Sequence, residues 1–371
     1  MKFFHISDLH IGLNLLNRDL YDDQKFMLDK IINLAEKHQP NAIIMAGDIY
    51  DRSNPSAEAN SLFDSFINGL KKVANGAYIF IISGNHDSAE RLNLYRNILS
   101  RERLFLVGKP PMKEDEFIEK VTLKDEYGNV NFYLLPFVKP AMVKNIFEDE
   151  KLTYNDAVRK LILRENIDKN ERNIIASHQF YLPVGKNAEE VERADEEIVT
   201  VGNIDEVKAD VLYDFDYAAL GHLHRGGTVG KDYVRYAGTP MQCSVSEVGQ
   251  EKGILCVDIK EKGNINIEKI VINPLRKIRK LEGTLENILE NPSEDYVNIT
   301  ISEDELNTDA MDRIRAAFPY LLKVIRKEQN LEDKKNFEIV NDKNEMDLIK
   351  DFLGEIDENE EKILNEILNN L

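Results

Sequence analysis

Residues 78–87 read Tyr-Ile-Phe-Ile-Ile-Ser-Gly-Asn-His-Asp, an apolar run followed by a polar turn. The run at 78–82 predicts a buried parallel strand, because a strand covered on both faces needs no alternation of apolar and polar side chains. The turn places Asn85 and His86 at the carboxyl end of this strand, where open α/β sheets hold their ligands. The stretch therefore predicts an α/β fold with a functional site at the strand ends.

Four other segments share this design, a predicted strand followed at once by acidic or histidine side chains. They contain Asp8 with His10, Asp48 with Asp51, the single His178, and His222 with His224. Five of the seven histidines in the chain lie in these motifs. Because five such motifs are an improbable coincidence, we interpret them as parts of one site.

The order of the predicted elements indicates a layered α/β protein. Strands at 2–6, 42–46 and 78–82 alternate with helices at 20–38 and 56–73, a βαβαβ pattern with right-handed crossovers. Shorter strands between residues 104 and 272 complete a second sheet. We predict a two-sheet sandwich flanked by helices, followed by a small α+β (βαβ) domain and a helical tail.

The chain divides into four predicted regions. Residues 1–273 form the two-sheet domain, in which a polar, acidic stretch at 185–205 predicts a surface loop near the histidine at 178. Residues 274–327 begin with a basic bridge and form a compact βαβ unit. The charged stretch 328–344, sparse in apolar side chains, is typical of a linker. Residues 345–371 contain two apolar stripes with helical spacing, which suits binding in a groove of a partner.

The composition is that of a cytoplasmic globular protein. The chain of 371 residues has two cysteines, Cys243 and Cys256, and neither has metal-site spacing, which favours a reducing compartment. We find neither a signal peptide nor an apolar run long enough to span a membrane. The net charge of −19 argues against tight autonomous binding of DNA without excluding it, since bound divalent cations reverse the local field.

The donor set in the motifs predicts two divalent ions. Two carboxylates, one amide and four imidazoles are too many ligands for one ion: Asp8, His10, Asp48, Asn85, His178, His222 and His224. Oxygen ligands suit Mn²⁺ or Mg²⁺, and imidazoles shift the preference toward transition metals. Asp48, on the middle strand, is expected to bridge the ions and so allow an in-line phosphoryl displacement by an activated water. His86 remains to donate a proton to the leaving oxygen or to stabilise the phosphorane.

Other polar residues near these motifs have ordinary explanations. His5 within a strand and His38 at the end of a helix are interpreted as structural. Asp51 and Asp87 either orient histidines or cap turns, and we retain Asp51 as a candidate catalytic residue. Arg52 either contacts a phosphate or is a solvated surface side chain.

The motifs resemble those of a known superfamily. Asp-x-His at 8–10, Gly-Asp-x-x-Asp at 47–51, Gly-Asn-His-Asp at 84–87, Ser-His at 177–178 and Gly-His-x-His at 221–224 occur in this order. The chain is similar to the calcineurin-like metallophosphoesterases and, within them, to the SbcD/Mre11 family of nuclease subunits. The similarity covers most of the chain and is weakest after about residue 328.

The resemblance implies a role for each site residue. One Mn²⁺ would bind Asp8, His10, Asp48 and His224, and the other would bind Asp48, Asn85, His178 and His222, with Mg²⁺ or another divalent ion as the alternative. His86 would assist the leaving 3′ oxygen. Archaeal and eukaryotic relatives commonly have a second histidine after the Gly-Asp motif, where this chain has Tyr50-Asp51-Arg52. What orients His86 is therefore left open.

The resemblance also implies substrates and partners. It implies a 3′–5′ double-strand exonuclease and single-strand endonuclease that processes DNA ends and hairpins in repair, recombination and replication at the nucleoid. An SbcC/Rad50-type ATPase would bind helices in 345–371, in a 2:2 complex. A homodimer would be built near 56–73 and 89–101, with candidate contacts Leu62, Phe63, Phe66, Leu92, Tyr95, Ile98 and Leu99, unless these side chains only face the sheet. Residues 274–327 would be a capping domain, with possible phosphate contacts at Arg276, Lys277, Arg279, Lys280, Arg313 and Arg315.

Two other classes of function compete with a nuclease. The first is another metallophosphoesterase, such as a phosphatase or a cyclic-nucleotide phosphodiesterase. Phosphatases of the superfamily usually have Gly after the Arg that corresponds to Arg52 and Glu where this chain has Asp87, and neither activity explains the hundred residues after 270. The second is a scaffold that has lost its metals, which the complete donor set argues against.

Overall fold

The computed structural model describes residues 1–74, 76–147, 151–186, 205–302 and 306–327. Its strands, in chain order, are β1 (Lys2–Ile6), β2 (Asn14–Leu15), β3 (Arg18–Asp19), β4 (Ala42–Ala46), β5 (Tyr78–Ile82), β6 (Leu104–Val107), β7 (Glu119–Asp125), β8 (Gly128–Leu135), β9 (Arg172–His178), β10 (Phe180–Leu182), β11 (Glu206–Lys208), β12 (Tyr217–Gly221), β13 (Gly227–Val229), β14 (Lys231–Tyr236), β15 (Gly253–Ile259), β16 (Ile265–Val271), β17 (Ile278–Glu282), β18 (Tyr296–Ser302) and β19 (Leu321–Lys327). Its helices are α1 (Tyr21–His38), α2 (Ala57–Val73), α3 (Ala89–Leu92), α4 (Arg96–Leu99), α5 (Pro140–Phe147), α6 (Tyr154–Leu163), α7 (Leu285–Leu289) and α8 (Thr308–Ala317). Short 3-10 turns lie at Ser100–Glu102, Ala209–Leu212 and Val245–Glu247.

Two six-stranded sheets form the large domain. The first has the order β16-β15-β1-β4-β5-β6, and the second has the order β13-β14-β12-β9-β8-β7. In the first sheet β1, β4, β5 and β6 are parallel neighbours. In the second, β8, β9, β12 and β14 are parallel neighbours. The predicted two-sheet α/β sandwich is confirmed.

An apolar layer between the sheets holds them face to face. The ring of Phe132 from the second sheet lies 5.9 Å from that of Phe3 and 4.7 Å from that of Phe80, both from the first sheet. Phe3 also contacts Tyr217, with ring centroids 5.5 Å apart. All four side chains are buried. Because this layer fixes one sheet against the other, the strand ends of both sheets meet at one edge.

Helices α1 and α2 cover the outer face of the first sheet. Helix α2 begins after Ser56, whose hydroxyl accepts a hydrogen bond from the backbone N–H of Ala59 at 3.1 Å. Leu62, Phe63 and Phe66 of α2 are buried in the core with the first sheet. These three candidates for a dimer contact are therefore core residues, because the apolar stripe of α2 faces its own sheet.

The segment predicted as a helix near 89–101 is broken. It forms α3, α4 and a 3-10 turn, because Tyr95 adopts a left-handed backbone conformation with φ of 59°. Leu92 is buried, whereas Leu94, Tyr95 and Ile98 are exposed. Of the candidate contacts in this segment, the break at Tyr95 leaves Tyr95 and Ile98 on the surface.

Residues after 274 form a smaller unit with three parallel strands in the order β17-β18-β19. Helices α7 and α8 bury Leu285, Ile288, Ala310 and Ile314 against this sheet. The predicted basic bridge is instead the edge strand β17, because Ile278 packs into the core while the charged residues beside it stay at the edge of the sheet.

A buried polar cluster joins the smaller unit to α1. The Asp23 carboxylate lies 2.7 Å from both Nη1 of Arg276 and the hydroxyl of Tyr296. Nη2 of Arg276 donates to the hydroxyl of Tyr320 at 2.9 Å. Arg276 is therefore engaged within the protein, which favours a structural role for this residue over the phosphate contact considered from the sequence.

The other basic residues proposed as phosphate contacts remain nearer the surface. Arg279, Arg313 and Arg315 each lie within 4.0 Å of an aspartate of the same unit.

Within the described ranges, no helix is long and apolar enough to cross a membrane. The predicted loop at 185–205, apart from its two ends, and the predicted regions 328–344 and 345–371 lie outside the described residues.

Candidate metal centre

The carboxyl ends of β1, β4, β5, β9 and β12 converge at one edge of the sandwich, and their loops bond to one another. The N–H of Asp8 donates to the carbonyl of Gly47 at 3.0 Å, and the N–H of His10 donates to that of Asp48, also at 3.0 Å. The Asp8 carboxylate accepts from the N–H of His222 at 3.0 Å and so joins the two sheets. The structure thus brings together the seven side chains predicted as metal ligands.

The loops adopt conformations that few residues tolerate. Asp8, His10 and Asp48 have φ of 54°, 43° and 50°, in the left-handed region. A Cβ at Gly84 would overlap the Asp48 carboxylate, so the turn needs glycine to approach it. Such strain persists only where the surroundings enforce it, and it is concentrated at functional sites.

One half of the centre is formed by Asp8, His10 and His224, whose ligand atoms lie within 4.8 Å of one another. The Nε2 atoms of His10 and His224 are 3.1 Å apart. Two imidazole lone pairs can face each other at this distance only with a proton or a cation between them. The donor set therefore fits a metal ion.

The other half contains His178, Asn85 and His222. Nε2 of His178 lies 3.0 Å from Oδ1 of Asn85 and 3.2 Å from Oδ2 of Asp48. Nδ1 of His222 lies 3.1 Å from the same amide oxygen of Asn85. The Asp48 carboxylate is also 3.9 Å from His10, so it stands between the two halves, where a bridging ligand would be.

A backbone contact sets the orientation of His178. Nδ1 of His178 lies 2.8 Å from the carbonyl oxygen of Ala46 and donates to it, so Nε2 faces Asp48 and Asn85. Burial acts to lower the pKa of His178, but Asp48 outweighs it and raises this pKa to about 9. Burial acts to raise the pKa of Asp48, but His178 holds it well below its usual range. A divalent cation would take over the role of the His178 proton.

His86 lies beside this centre, with its ring 4.9 Å from that of His10. Its Nδ1 lies 2.9 Å from the backbone oxygen of Asp51, and the backbone N–H of His86 donates to Oδ1 of Asp48 at 2.9 Å. The Asp51 carboxylate instead lies 4.0 Å from Nδ1 of His10 and 3.2 Å from Nε of Arg52. The carbonyl of Asp51, and not its carboxylate, therefore orients His86.

The Asp87 carboxylate holds two loops of the centre together. It accepts from the N–H groups of Gly84, Ile49 and Tyr50 at 2.9, 3.1 and 3.0 Å. Of the two roles considered for Asp87, the structure shows the capping one. His5, interpreted as structural, is buried, with Nδ1 2.9 Å from the Tyr217 hydroxyl.

Sequence reasoning missed one carboxylate of the centre. Glu247 is fully buried, and its Oε1 lies 3.0 Å from Nδ1 of His224. It ends a 3-10 turn outside every motif, and nothing in the surrounding sequence marks it.

Comparisons with known proteins identify the family of the chain. A sequence model described as calcineurin-like phosphoesterase matches residues 1–226. A second, described as Type 5 capsule protein repressor C-terminal domain, matches residues 274–356. The SbcD subunit of the SbcCD nuclease from Staphylococcus epidermidis is 31% identical over 330 residues, which cover 87% of this chain and 84% of that protein. The chain belongs to the SbcD family of calcineurin-like phosphoesterases.

Two solved structures resemble this SbcD-family chain at low identity. A dimetal phosphatase from Danio rerio aligns with a TM-score of 0.45 and 15% identity, over 74% of this chain and 98% of its own. GAP50, the anchor in the inner membrane complex of Plasmodium, aligns with a TM-score of 0.36 and 11% identity, over 89% of this chain and 98% of its own.

A cavity adjoins the loops that follow β1 and β4. The volume of this cavity is about 370 Å³, and its lining includes Asn14, Tyr21, Asp51 and Arg52. Its lining combines apolar, amide and charged groups, as small-molecule sites do.

Proposed function

We propose that this chain is a DNA nuclease that uses two divalent ions, Mn²⁺ in the first place and Mg²⁺ as the alternative. The observation that carries the proposal is the position of the Asp48 carboxylate between two groups of ligands, 3.9 Å from His10 and 3.2 Å from His178. One ion would be held by Asp8, His10, Asp48 and His224. The other would be held by Asp48, Asn85, His178 and His222.

The bound ions would supply a water of lowered pKa and a clamp on the phosphodiester oxygens. The protein supplies the proton for the leaving group. Because Nδ1 of His86 donates to the Asp51 carbonyl, a protonated His86 carries its second proton on Nε2. We assign His86 as the general acid for the leaving 3′ oxygen, and we assign Asp51 a positioning role through its carbonyl.

DNA is the favoured substrate because the similarity to a nuclease subunit extends over 87% of the chain and is not limited to the phosphoesterase domain. We propose residues 1–273 as the nuclease domain and 274–327 as a capping domain that steers DNA. In the cell the chain would act in the cytoplasm, at the nucleoid, on double-stranded ends, hairpins and single strands in repair, recombination and replication.

The proposed partners are a second copy of the chain and an SbcC/Rad50-type ATPase, in a 2:2 complex. The surface of Leu94, Tyr95 and Ile98 supports the homodimer, because these side chains are 56%, 69% and 62% exposed. Isolated exposed apolar side chains are ordinary, but three within five positions form a patch suited to an interface. The ATPase would bind residues 345–371 after the linker 328–344.

The experiment that tests this function compares substrates. The purified chain is given end-labelled duplex DNA, hairpin DNA, a small phosphodiester and a phosphomonoester, each with Mn²⁺ or Mg²⁺, and Asp48→Asn is the negative control. Metal-dependent DNA cleavage that is lost in Asp48→Asn supports the nuclease. Turnover of the monoester without DNA cleavage supports a phosphatase, and inactivity on every substrate with the ATPase present supports a scaffold.

A further inference from the structure

Glu247 and Lys252 form a buried ion pair behind His224. Glu247 is 0% exposed and Lys252 is 7% exposed, and the Glu247 carboxylate lies 2.8 Å from Nζ of Lys252. The other carboxylate oxygen lies 3.0 Å from Nδ1 of His224. A buried charge is costly unless it is paired and hydrogen-bonded, and even a buried ion pair contributes little net stability because both charges lose their hydration. The position of this pair behind His224 therefore needs an explanation other than stability.

We propose that Glu247 is the positioning residue of His224, and that Lys252 holds the carboxylate in place. The inference rests on the proposed metal centre, because it concerns how one of its ligands is oriented. Glu247 lies outside the motifs of the donor set, and its role is distinct from that of a ligand.

The loop before β15 is folded to deliver this carboxylate. The hydroxyl of Ser244 accepts from the N–H of Ser246 at 3.0 Å and begins the 3-10 turn that directs Glu247 inward. Oε2 of Glu247 also accepts from the N–H of Cys243 at 3.2 Å and from the hydroxyl of Thr239 at 3.3 Å. With Lys252, these donors satisfy the oxygen that faces away from the imidazole.

Lys252 contacts both partners. Its Nζ lies 2.8 Å from the Glu247 carboxylate and donates to the backbone oxygen of His224 at 2.9 Å. The side chain and the backbone of His224 are therefore both fixed from the same direction. This double attachment supports a role in orienting His224 and not only in filling the core.

The contact decides which nitrogen of His224 faces the centre. When Nδ1–H donates to Glu247, Nε2 keeps its lone pair and points to His10, 3.1 Å away. A carboxylate partner also increases the basicity of the imidazole and thereby its strength as a ligand.

The two halves of the centre differ in this respect. Nδ1 of His178 donates to the neutral carbonyl of Ala46, whereas Nδ1 of His224 donates to a carboxylate. Loss of the Glu247 charge should therefore weaken the binding of one ion and leave the binding of the other unchanged. A defect in the fold as a whole would weaken both.

The test measures Mn²⁺ binding to the full chain by electron paramagnetic resonance, which reports the free ion. In Glu247→Gln we expect one of the two ions to bind about 10- to 100-fold more weakly and the other to bind as before. Glu251→Gln is the matched control, because Glu251 is an exposed carboxylate of the same loop. Unchanged binding of both ions in Glu247→Gln would overturn the inference.

A second measurement needs neither metal nor activity. In ¹⁵N spectra of the histidine side chains, the metal-free protein should show a proton on Nδ1 of His224, and the control Glu251→Gln should preserve this state. In Glu247→Gln, the Nδ1-protonated form should decrease. A neutral His224 that carries its only ring proton on Nε2 in the unaltered protein would overturn the inference. Failure to bind any Mn²⁺ while Nδ1 of His224 carries a proton would count against the proposed function alone.

Discussion

Nδ1 of His86 lies 2.9 Å from the backbone oxygen of Asp51, and this contact directs Nε2 of His86 away from the Asp51 carbonyl. The ring stands beside that of His10, with centroids 4.9 Å apart. His86 is thus close to the ligands while its own Nδ1 is committed to a carbonyl. A ring nitrogen of His86 also lies within 4.8 Å of ligand atoms of His10 and Asp48, so His86 belongs to the same cluster of donor atoms.

His86→Ser should abolish cleavage while leaving metal binding nearly intact. Loss of a general acid lowers the rate by about 10²- to 10⁴-fold. Cleavage of labelled DNA and Mn²⁺ calorimetry on the same preparation test both parts. Loss of a bound ion in the variant would contradict the assignment of His86 as a proton donor.

Asp51→Asn should have a much smaller effect than His86→Ser, because asparagine keeps the carbonyl that orients His86. We expect a loss of less than about tenfold in kcat/KM, or about 1.4 kcal/mol. Steady-state cleavage of a labelled duplex measures this. A loss as large as that of His86→Ser would show that the Asp51 carboxylate itself takes part in the reaction.

The contact between Asp23 and Arg276 should be needed to hold the smaller unit, formed by residues after 274, against α1. Arg276→Met would leave a buried carboxylate without its cation, at a cost of about 3–5 kcal/mol. The urea midpoint of unfolding should fall accordingly, whereas Arg279→Met, which breaks a more exposed pair, should change it little. Equal effects of the two substitutions would contradict the role of the buried cluster.

The stability of the chain should depend on Asp125 in a pH-dependent way. Burial acts to raise the pKa of Asp125, but the Arg172 guanidinium, with Nη1 3.0 Å from Oδ2, holds it below its usual range. A carboxyl with a lowered folded-state pKa contributes fully above its ordinary pKa of about 3.9, and this contribution is lost as the pH falls through the folded-state value. The Asp125→Asn variant should thus be less stable than the unaltered chain at pH 7. The difference in Tm between the two proteins should shrink below about pH 4. A difference that is constant from about pH 7 to pH 3 would contradict this linkage.

The patch of Leu94, Tyr95 and Ile98 should govern self-association. Ile98→Glu is expected to convert a dimer into monomers in sedimentation velocity, because a charge would be buried in the interface. Leu163→Glu is the control, since Leu163 is similarly exposed, at 68%, and belongs to another helix, α6. Dimers that persist in Ile98→Glu, or monomers in the unaltered chain, would contradict the proposed contact.

The sequence predicted the sandwich and the cluster because both depend on local patterns. The strand at 78–82 and the turn at Asn85 and His86 are contiguous, so periodicity and residue type suffice. Strand β17 was missed because its apolar residues are few and its charges suit a bridge as well as a sheet edge.

Contacts made by backbone atoms or across long separations could not be predicted from sequence. A carbonyl such as that of Asp51 is present at every position, so nothing in the sequence marks it as the partner of His86. Glu247 reaches His224 only because the turn at 245–247 folds beneath it. The stripe of α2 could not be assigned to a dimer or to the core from the sequence, because apolar spacing is the same on a helix that faces its own sheet.

The two-ion centre is tested best by counting the Mn²⁺ ions bound per chain under conditions in which labelled duplex DNA is cleaved. We expect two bound ions per chain, and we expect cleavage to require both. In Asp48→Asn, the loss of one bound ion should be accompanied by the loss of cleavage. Full cleavage with one ion per chain, or cleavage that survives removal of all metal by a chelator, would contradict the two-ion mechanism.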